Sequence, residues 1–169
     1  TTKEELFAMT LVEYLTELEV RLSEVGKSGK PPTERLLAIT DEFFIYGAKY
    51  PAFVDCAQSL LRQRGSELLQ QISVERLTEL GEVINRCFAQ VTAAIIEGNE
   101  NGTFDVEDPE LVTNIMYTQG LGVLNLVTFQ LSIRELNSGL PTMDHLPMPD
   151  VVKVAQRAIL GMLMPNDKA

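Results

Sequence analysis

Residues 111–133 read LVTNIMYTQGLGVLNLVTFQLSI, a run of 23 residues without a charged side chain. A run of this length is long enough to span a bilayer. Polar side chains are costly in lipid, however, and this run contains several. They are Thr113, Asn114, Thr118, Gln119, Asn125, Thr128, Gln130 and Ser132. The run therefore predicts a helix that is buried in protein, not in a membrane, and that is covered on more than one side.

The N-terminal half of the sequence has the periodicity of amphipathic helices. Apolar residues recur at spacings of three and four over 3–25, which predicts a first helix. A second helix is expected to stop at Tyr50, because Pro51 disfavours helical geometry in the residue before it. A third helix is expected over 52–64, and residues 66–71 are compatible with one further turn.

Three more helices are expected in the C-terminal half. The first has Ser73 as its N-cap and stops at Asn101-Gly102, where glycine can take the left-handed conformation. Asp108 is the expected cap and Pro109 the first residue of the next helix, which carries the uncharged run to about residue 136. A last helix covers about 149–164. Strand-like alternation is nowhere sustained. The sequence therefore predicts a single all-α domain of about six helices over the whole 169-residue chain.

The charge of the chain limits its partners. The formal net charge is −10, and the 14 Lys and Arg residues are scattered rather than clustered. Affinity for nucleic acid depends largely on phosphate neutralisation by basic side chains, so this segment is not expected to touch DNA itself. The N-terminus, with Lys3, Glu4 and Glu5, is charged and unlike a signal peptide. We expect a cytoplasmic protein.

No pattern typical of an enzyme or a metal site is present. His145 is the only histidine and lies in a Pro-rich stretch, which predicts a surface loop residue. A di-iron bundle needs Glu-x-x-His, whereas Thr142 stands three residues before His145, and zinc needs more Cys and His ligands. The Gly120-Leu121-Gly122 segment has neither the preceding strand nor the lysine of a phosphate loop. We expect no catalytic residue, no metal and no cofactor.

The two cysteines, Cys56 and Cys87, lie far apart in the sequence and in apolar surroundings. Reduced core thiols are the simplest interpretation, because cysteine packs as a small hydrophobic residue. A redox sensor and a disulfide are the alternatives, and geometry has to separate them.

The uncharged helix carries a polar stripe, and buried polar groups need partners. Neighbours in the core, a second copy of the chain or a ligand would each satisfy them. A pocket would combine these groups with aromatic walls from the earlier helices. The predicted ligand-binding residues are Phe43, Phe44, Phe53, Phe88, Thr92, Asn114, Tyr117 and Thr118.

Another side of the same helix is expected to meet a second copy of the chain. Gly120 and Gly122 allow close approach of a backbone, and the closing helix would supply the rest of a two-fold interface. The predicted interface residues are Gly120, Leu121, Leu124, Thr128, Val152, Ala155, Ile159 and Leu163. The alternative is a helix that its own chain encloses completely.

Several short segments, in this order, resemble the C-terminal region of TetR-family regulators. TKEELF at 2–7 is similar to the opening of the first helix after the DNA-binding domain, and YPAF at 50–53 is similar to the break between the next two helices. EGNENGTF at 97–104, followed by DPEL at 108–111, is similar to the passage between the long helices. YTQGLGVLNL at 117–126 resembles the dimerisation helix. Together the segments cover essentially the whole chain.

The resemblance implies the effector-sensing and dimerisation domain of a transcriptional repressor. A homodimer would pack its last two helices as a four-helix bundle, and a small, largely apolar effector would enter a pocket among the earlier helices. DNA would be bound only through a helix-turn-helix, which in this family precedes the segment at 2–7 and which we expect to lie outside this chain. The alternative function is a helical protein–protein interaction domain without a small-molecule ligand.

Overall fold

Helices account for the whole regular structure of the part that the computed structural model describes, residues 2–27, 29–129 and 146–165. In chain order they are α1 (Lys3–Gly26), α2 (Pro32–Lys49), α3 (Pro51–Leu61), α4 (Gly65–Gln71), α5 (Val74–Glu100), α6 (Pro109–Phe129) and α7 (Met148–Leu163). The all-α prediction is confirmed. Seven helices replace the expected six over these residues, because 65–71 forms a helix of its own. The predicted extension of α6 to residue 136 and the loop histidine, His145, lie outside the described residues.

Local chemistry sets the ends of the long helices, as the sequence predicted. The Ser73 hydroxyl accepts a hydrogen bond from the backbone N–H of Arg76 at 3.4 Å, which caps α5. Gly102 follows the end of α5 with a φ of 76°, a conformation that favours glycine. The Asp108 carboxylate accepts from the N–H of Leu111 at 2.9 Å and so caps the first turn of α6.

The core of the molecule is organised around α1, which packs against α2, α3 and α5. Its inward face is a stripe of leucines at helical spacing, each at most 3% exposed: Leu11, Leu15, Leu18 and Leu22. Burying one such side chain stabilises the fold by about 1.5–3 kcal/mol. Beside this stripe the hydroxyl of Tyr46 donates to the backbone carbonyl of Tyr14 at 2.8 Å, and burial raises the pKa of Tyr46 above its usual range.

A second cluster holds the segment between α5 and α6 against α7. Phe104 and Val106 are buried in it, and the N–H of Asp105 donates to the carbonyl of Leu163 at 2.9 Å. The Asn99 side chain accepts from the N–H of Val106 and donates to its carbonyl, at 3.0 and 2.7 Å. These contacts fix the direction in which α6 leaves α5.

The uncharged run begins as predicted, as a helix packed against its own chain. Thr113, Met116, Leu121 and Leu124 of α6 are buried. No helix in the described part of the chain is both long enough and apolar enough to cross a membrane.

Candidate functional site

A small, partly open cavity of about 70 Å³ lies between α1, α2, α5 and α6, with one residue of α7 in its wall. Sixteen of the described residues line it, and none of these sixteen is charged. Its volume is well below that of pockets for drug-sized ligands, which is about 300–1,000 Å³. A larger ligand therefore requires the walls to move outward.

The movable part of the wall is a set of aromatic rings. The ring of Tyr117 lies between those of Phe43 and Phe88, with centroids 6.2 and 5.3 Å away, and both pairs are edge to face. Gly120 lets Phe43 approach α6, because a Cβ atom at this position would lie 2.7 Å from Cε1 of Phe43. The residues that close the cavity are thus side chains that rotation about χ1 and χ2 can displace.

Four side chains bring polar atoms to the cavity, and three of them already donate to the backbone. Thr40 donates to the carbonyl of Leu36 at 2.8 Å, and Thr113 donates to that of Pro109 at 2.8 Å. The thiol of Cys87 donates to the carbonyl of Leu15 at 3.5 Å. The fourth polar side chain is that of Tyr117, whose hydroxyl has no hydrogen-bond partner among the described residues. Burial raises the pKa of Tyr117, so its phenol keeps its proton.

Four of the eight predicted ligand-binding residues lie in the wall of the cavity. Phe43, Phe44, Phe88 and Tyr117 line the cavity. Phe53 packs behind Phe43, with ring centroids 6.1 Å apart.

The remaining three predicted residues do not reach the cavity. Thr92 forms a 3.0 Å hydrogen bond with Thr113, which does line it. Asn114 and Thr118 require a correction, because both are exposed. The Asn114 amide donates to the carbonyl of Glu110, and the Thr118 hydroxyl donates to that of Asn114. Asn114, Thr118 and Thr128 of the predicted polar stripe therefore lie on the outer side of α6, whereas the Asn125 amide donates to Oε1 of Gln58.

Sequence reasoning missed several wall residues. On α6 these are Thr113, Met116 and Gly120, which share one helical face with Tyr117. Together with Tyr117 they follow the spacing of three and four residues that marks one face of a helix, and this spacing is the signal that the sequence offers. The leucines of α1 and Cys87 of α5 also line the cavity, and nothing in the sequence distinguishes them from ordinary core residues.

On its outer side α6 forms an open groove of about 630 Å³ with α7. We define the α6–α7 face as the exposed residues Ile115, Gly122, Leu126, Val154 and Ala158. All five are apolar or small, and Val154 is 67% exposed. Among the described residues that line the groove, Asp150 is the single charged one. On a chain with a net charge of −10, this surface is notably uncharged.

The predicted interface residues need revision in the light of their burial. Leu121, Leu124, Ile159 and Leu163 are at most 6% exposed, because they pack into the core of their own chain. Such side chains have almost no area left to bury against a second copy.

The other four predicted interface residues are divided. Val152 and Ala155 are half-buried against the core, and Gly120 is buried. Thr128 is exposed. The α6–α7 face, in contrast, has apolar area that the chain itself leaves exposed.

One thin wall separates the cavity from the groove. Phe44, Gly120 and Ile159 line both of them. A change in the volume of the cavity that displaces these residues also reshapes the groove.

Cys56 and Cys87 are both free and buried, so they do not form a disulfide with each other. Burial raises the pKa of Cys56, and it raises the pKa of Cys87 to about 12. Because the thiolate is the reactive form, neither thiol has the properties of a redox sensor. Among the described residues, His, Cys, Asp and Glu side chains nowhere gather in a group of three that would hold a metal ion.

Comparison with solved structures identifies the fold as that of TetR-family regulators. A regulatory protein of the TetR family from Rhodococcus RHA1 matches with a TM-score of 0.72 and 15% identity, over 98% of this chain and 76% of its own. The ketosteroid transcriptional regulator KstR2 of Mycobacterium tuberculosis matches at 0.66 and 19% identity, over 97% and 74%. The fatty acid degradation regulator FadR from Bacillus halodurans matches at 0.65 and 18% identity, over 94% and 72%. No family sequence model matches the chain, and no curated protein matches it significantly.

Proposed function

We propose that this chain is the effector-sensing and dimerisation part of a TetR-type transcriptional regulator, a repressor that acts in the cytoplasm and that a small apolar molecule releases from DNA. The observation that carries the proposal is the position of α6. One side of this helix lines an apolar cavity, and the other side lies in an exposed apolar face. The same helix therefore meets both the effector and the second copy of the chain.

The effector acts by selecting a more open arrangement of the cavity. A ligand that bound the closed and open arrangements equally well would shift nothing. The present volume of about 70 Å³ supports such a difference, because a drug-sized molecule requires Phe43, Phe88 or Tyr117 to move. The names of two neighbours, a ketosteroid regulator and a fatty acid degradation regulator, are in line with an apolar effector.

The α6–α7 face is the surface that meets the second copy. A two-fold interface is self-complementary, so each face packs against an identical face. Gly122 and Ala158 allow close approach, while Leu126 and Val154 supply apolar area that water now covers. Because this face has few charges, two copies with a charge of −10 each can meet without direct repulsion there.

DNA binding in this proposal belongs to a basic helix-turn-helix N-terminal to Lys3. The present chain is too acidic to supply phosphate contacts of its own.

The dimer is tested with Val154→Glu, which places two carboxylates in the proposed interface. Light scattering at micromolar concentration should give a dimer for the wild type and a monomer for this variant. Val20→Glu is the matched control, because Val20 is 54% exposed on α1 and away from the face. A monomeric wild type, or a Val154→Glu protein that stays dimeric, would contradict the proposal.

Effector binding is tested by a thermal-shift screen of small apolar compounds, since a ligand of the folded state raises the melting temperature. Gly120→Ala should weaken the shift by displacing Phe43, whereas Gly81→Ala, which has open space around it, should leave the shift unchanged. A broad apolar panel that never moves the melting temperature would favour an interaction domain without a ligand.

A further inference from the structure

We propose that the effector is an uncharged molecule with an apolar skeleton and one oxygen acceptor, a carbonyl, ether or hydroxyl oxygen, and that the Tyr117 hydroxyl donates a hydrogen bond to it. This inference rests on the proposed sensing function and specifies the chemistry of the ligand. It excludes fatty acid anions and other carboxylates as ligands of the cavity.

The first support is the state of the polar side chains in the wall. Thr40, Cys87 and Thr113 use their hydrogens on backbone carbonyls. Tyr117 lines the cavity, but its hydroxyl makes no hydrogen bond to the part of the chain that the structure describes. A hydrogen bond contributes about 0.5–1.5 kcal/mol net, so a ligand that brings an acceptor to this uncommitted donor gains affinity.

The second support is the absence of charge in the wall. None of the sixteen lining residues is charged. Arg21 and Arg35 of α1 and α2, two helices that line the cavity, form ion pairs with carboxylates of the chain itself: Arg21 with Glu17 and Glu42, and Arg35 with Glu97 at 2.7 Å. A carboxylate in the cavity would lose its hydration without gaining an ion pair, which is strongly unfavourable.

The surroundings of Tyr117 determine where the acceptor lies. Phe43 and Phe88 flank the ring of Tyr117, and Thr113 lies one helical turn before it on the same face of α6. The skeleton of the ligand would replace ring-to-ring contacts of the phenylalanines, and its oxygen would lie toward α6. One polar atom is thus oriented by a single donor within apolar walls, as in many small-molecule sites.

The test uses three probes of nearly equal size: acetophenone with a ketone oxygen, ethylbenzene without a polar atom, and benzoate with a charge. Isothermal titration calorimetry on the full chain gives the affinity of each probe for the wild type and for Tyr117→Phe. Water solvates the ketone better than the hydrocarbon, so the two affinities differ even without a hydrogen bond in the cavity. The informative quantity is therefore the change that Tyr117→Phe makes in the ratio of acetophenone to ethylbenzene affinity.

We expect Tyr117→Phe to lower this ratio about tenfold, the equivalent of ~1.4 kcal/mol. Ethylbenzene should bind the variant as it binds the wild type. Tyr50→Phe is the control, because its hydroxyl lies near Glu17 and not at the cavity. As a second readout, the infrared carbonyl stretch of acetophenone bound to the wild type should lie below its value in hexane, and Tyr117→Phe should abolish that difference.

Three results would overturn the inference and leave the sensing function intact: an unchanged ratio in Tyr117→Phe, an equal loss of both neutral probes, or benzoate bound as tightly as acetophenone. If none of the three probes bound the wild type, the inference would be refuted, whereas the sensing function would be decided separately by the thermal-shift screen of the broad apolar panel.

Discussion

Two glycines of α5 should respond in opposite directions to the same substitution. Gly98 packs directly against the ring of Phe104, and a Cβ atom added at Gly98 would overlap three atoms of that ring. Phe104 is 3% exposed and sits in the second core cluster, so it has little room to retreat. Gly81 lies in the same helix, but a Cβ atom there would meet nothing within 4 Å.

The magnitudes follow from two competing effects. Alanine gains about 1 kcal/mol over glycine inside a helix, whereas overpacking a buried site costs about 1–3 kcal/mol. Gly81→Ala has only the first effect and should stabilise by about 0.5–1 kcal/mol. At Gly98 the overlap with three ring atoms places the overpacking cost at about 2–3 kcal/mol, so after the gain of ~1 kcal/mol Gly98→Ala should destabilise by about 1–2 kcal/mol. At about 2–4 °C per kcal/mol for a chain of this size, the melting temperatures should move apart by roughly 3–12 °C.

The assay is thermal unfolding followed by circular dichroism, with every variant at one protomer concentration, because a dimer's stability depends on concentration. Phe104→Leu combined with Gly98→Ala supplies the check on mechanism. The smaller side chain should relieve the overlap, so the double variant should be more stable than the sum of the two single effects predicts. Shifts of the same sign in Gly81→Ala and Gly98→Ala would refute this account of how Gly98 and Phe104 pack.

Three further predictions concern a thiol, a helix cap and a buried hydroxyl. Cys87 should resist alkylation in the native protein at pH 8 and react once the chain is unfolded. The fold raises the pKa of the Cys87 thiol from 9.0 to about 12, so the unfolded chain loses the thiol proton at a lower pH than the folded chain. The free energy of unfolding should therefore fall as the pH rises from 9 to 12, and it should fall less in Cys87→Ala. Ser73→Ala should lower the free energy of unfolding by about 0.5–1 kcal/mol in urea titrations, and an unchanged midpoint would mean that the cap contributes nothing. Thr113→Val removes the acceptor of Thr92 and should cost about 1–3 kcal/mol, whereas Thr113→Ser should cost clearly less; equal losses would assign the effect to packing.

The ends of the helices could be predicted because they depend on a few adjacent residues. Ser73 caps α5, Gly102 takes the left-handed conformation after it, and Asp108 caps α6. Each of these features needs one side chain and one turn of backbone, so tertiary structure does not override it.

The orientation of α6 could not be predicted in the same way. This helix is apolar around most of its circumference, so its periodicity does not mark the arc that faces the cavity. Thr113 and Asn114 are adjacent polar residues in the sequence, yet the first is buried in the wall and the second is exposed. Packing of α6 against α2 and α5 decides between them.

The volume of the cavity was also beyond sequence reasoning. The sequence predicts that one pocket contains Phe43, Phe88 and Tyr117. The space between their rings depends on side-chain rotamers and on the positions of three helices. The family resemblance suggested a pocket and not its size.

In the proposed effector-responsive dimer, the thin wall between cavity and groove has a consequence for genetics. Phe44, Gly120 and Ile159 belong to both spaces, so a substitution at any of them alters two phenotypes at once. A selection for variants that no longer respond to the effector would recover assembly mutants at these positions, and a selection for monomers would recover variants with altered effector response. Residues on one side only, such as Phe88 and Val154, are the ones whose alleles would separate the two traits.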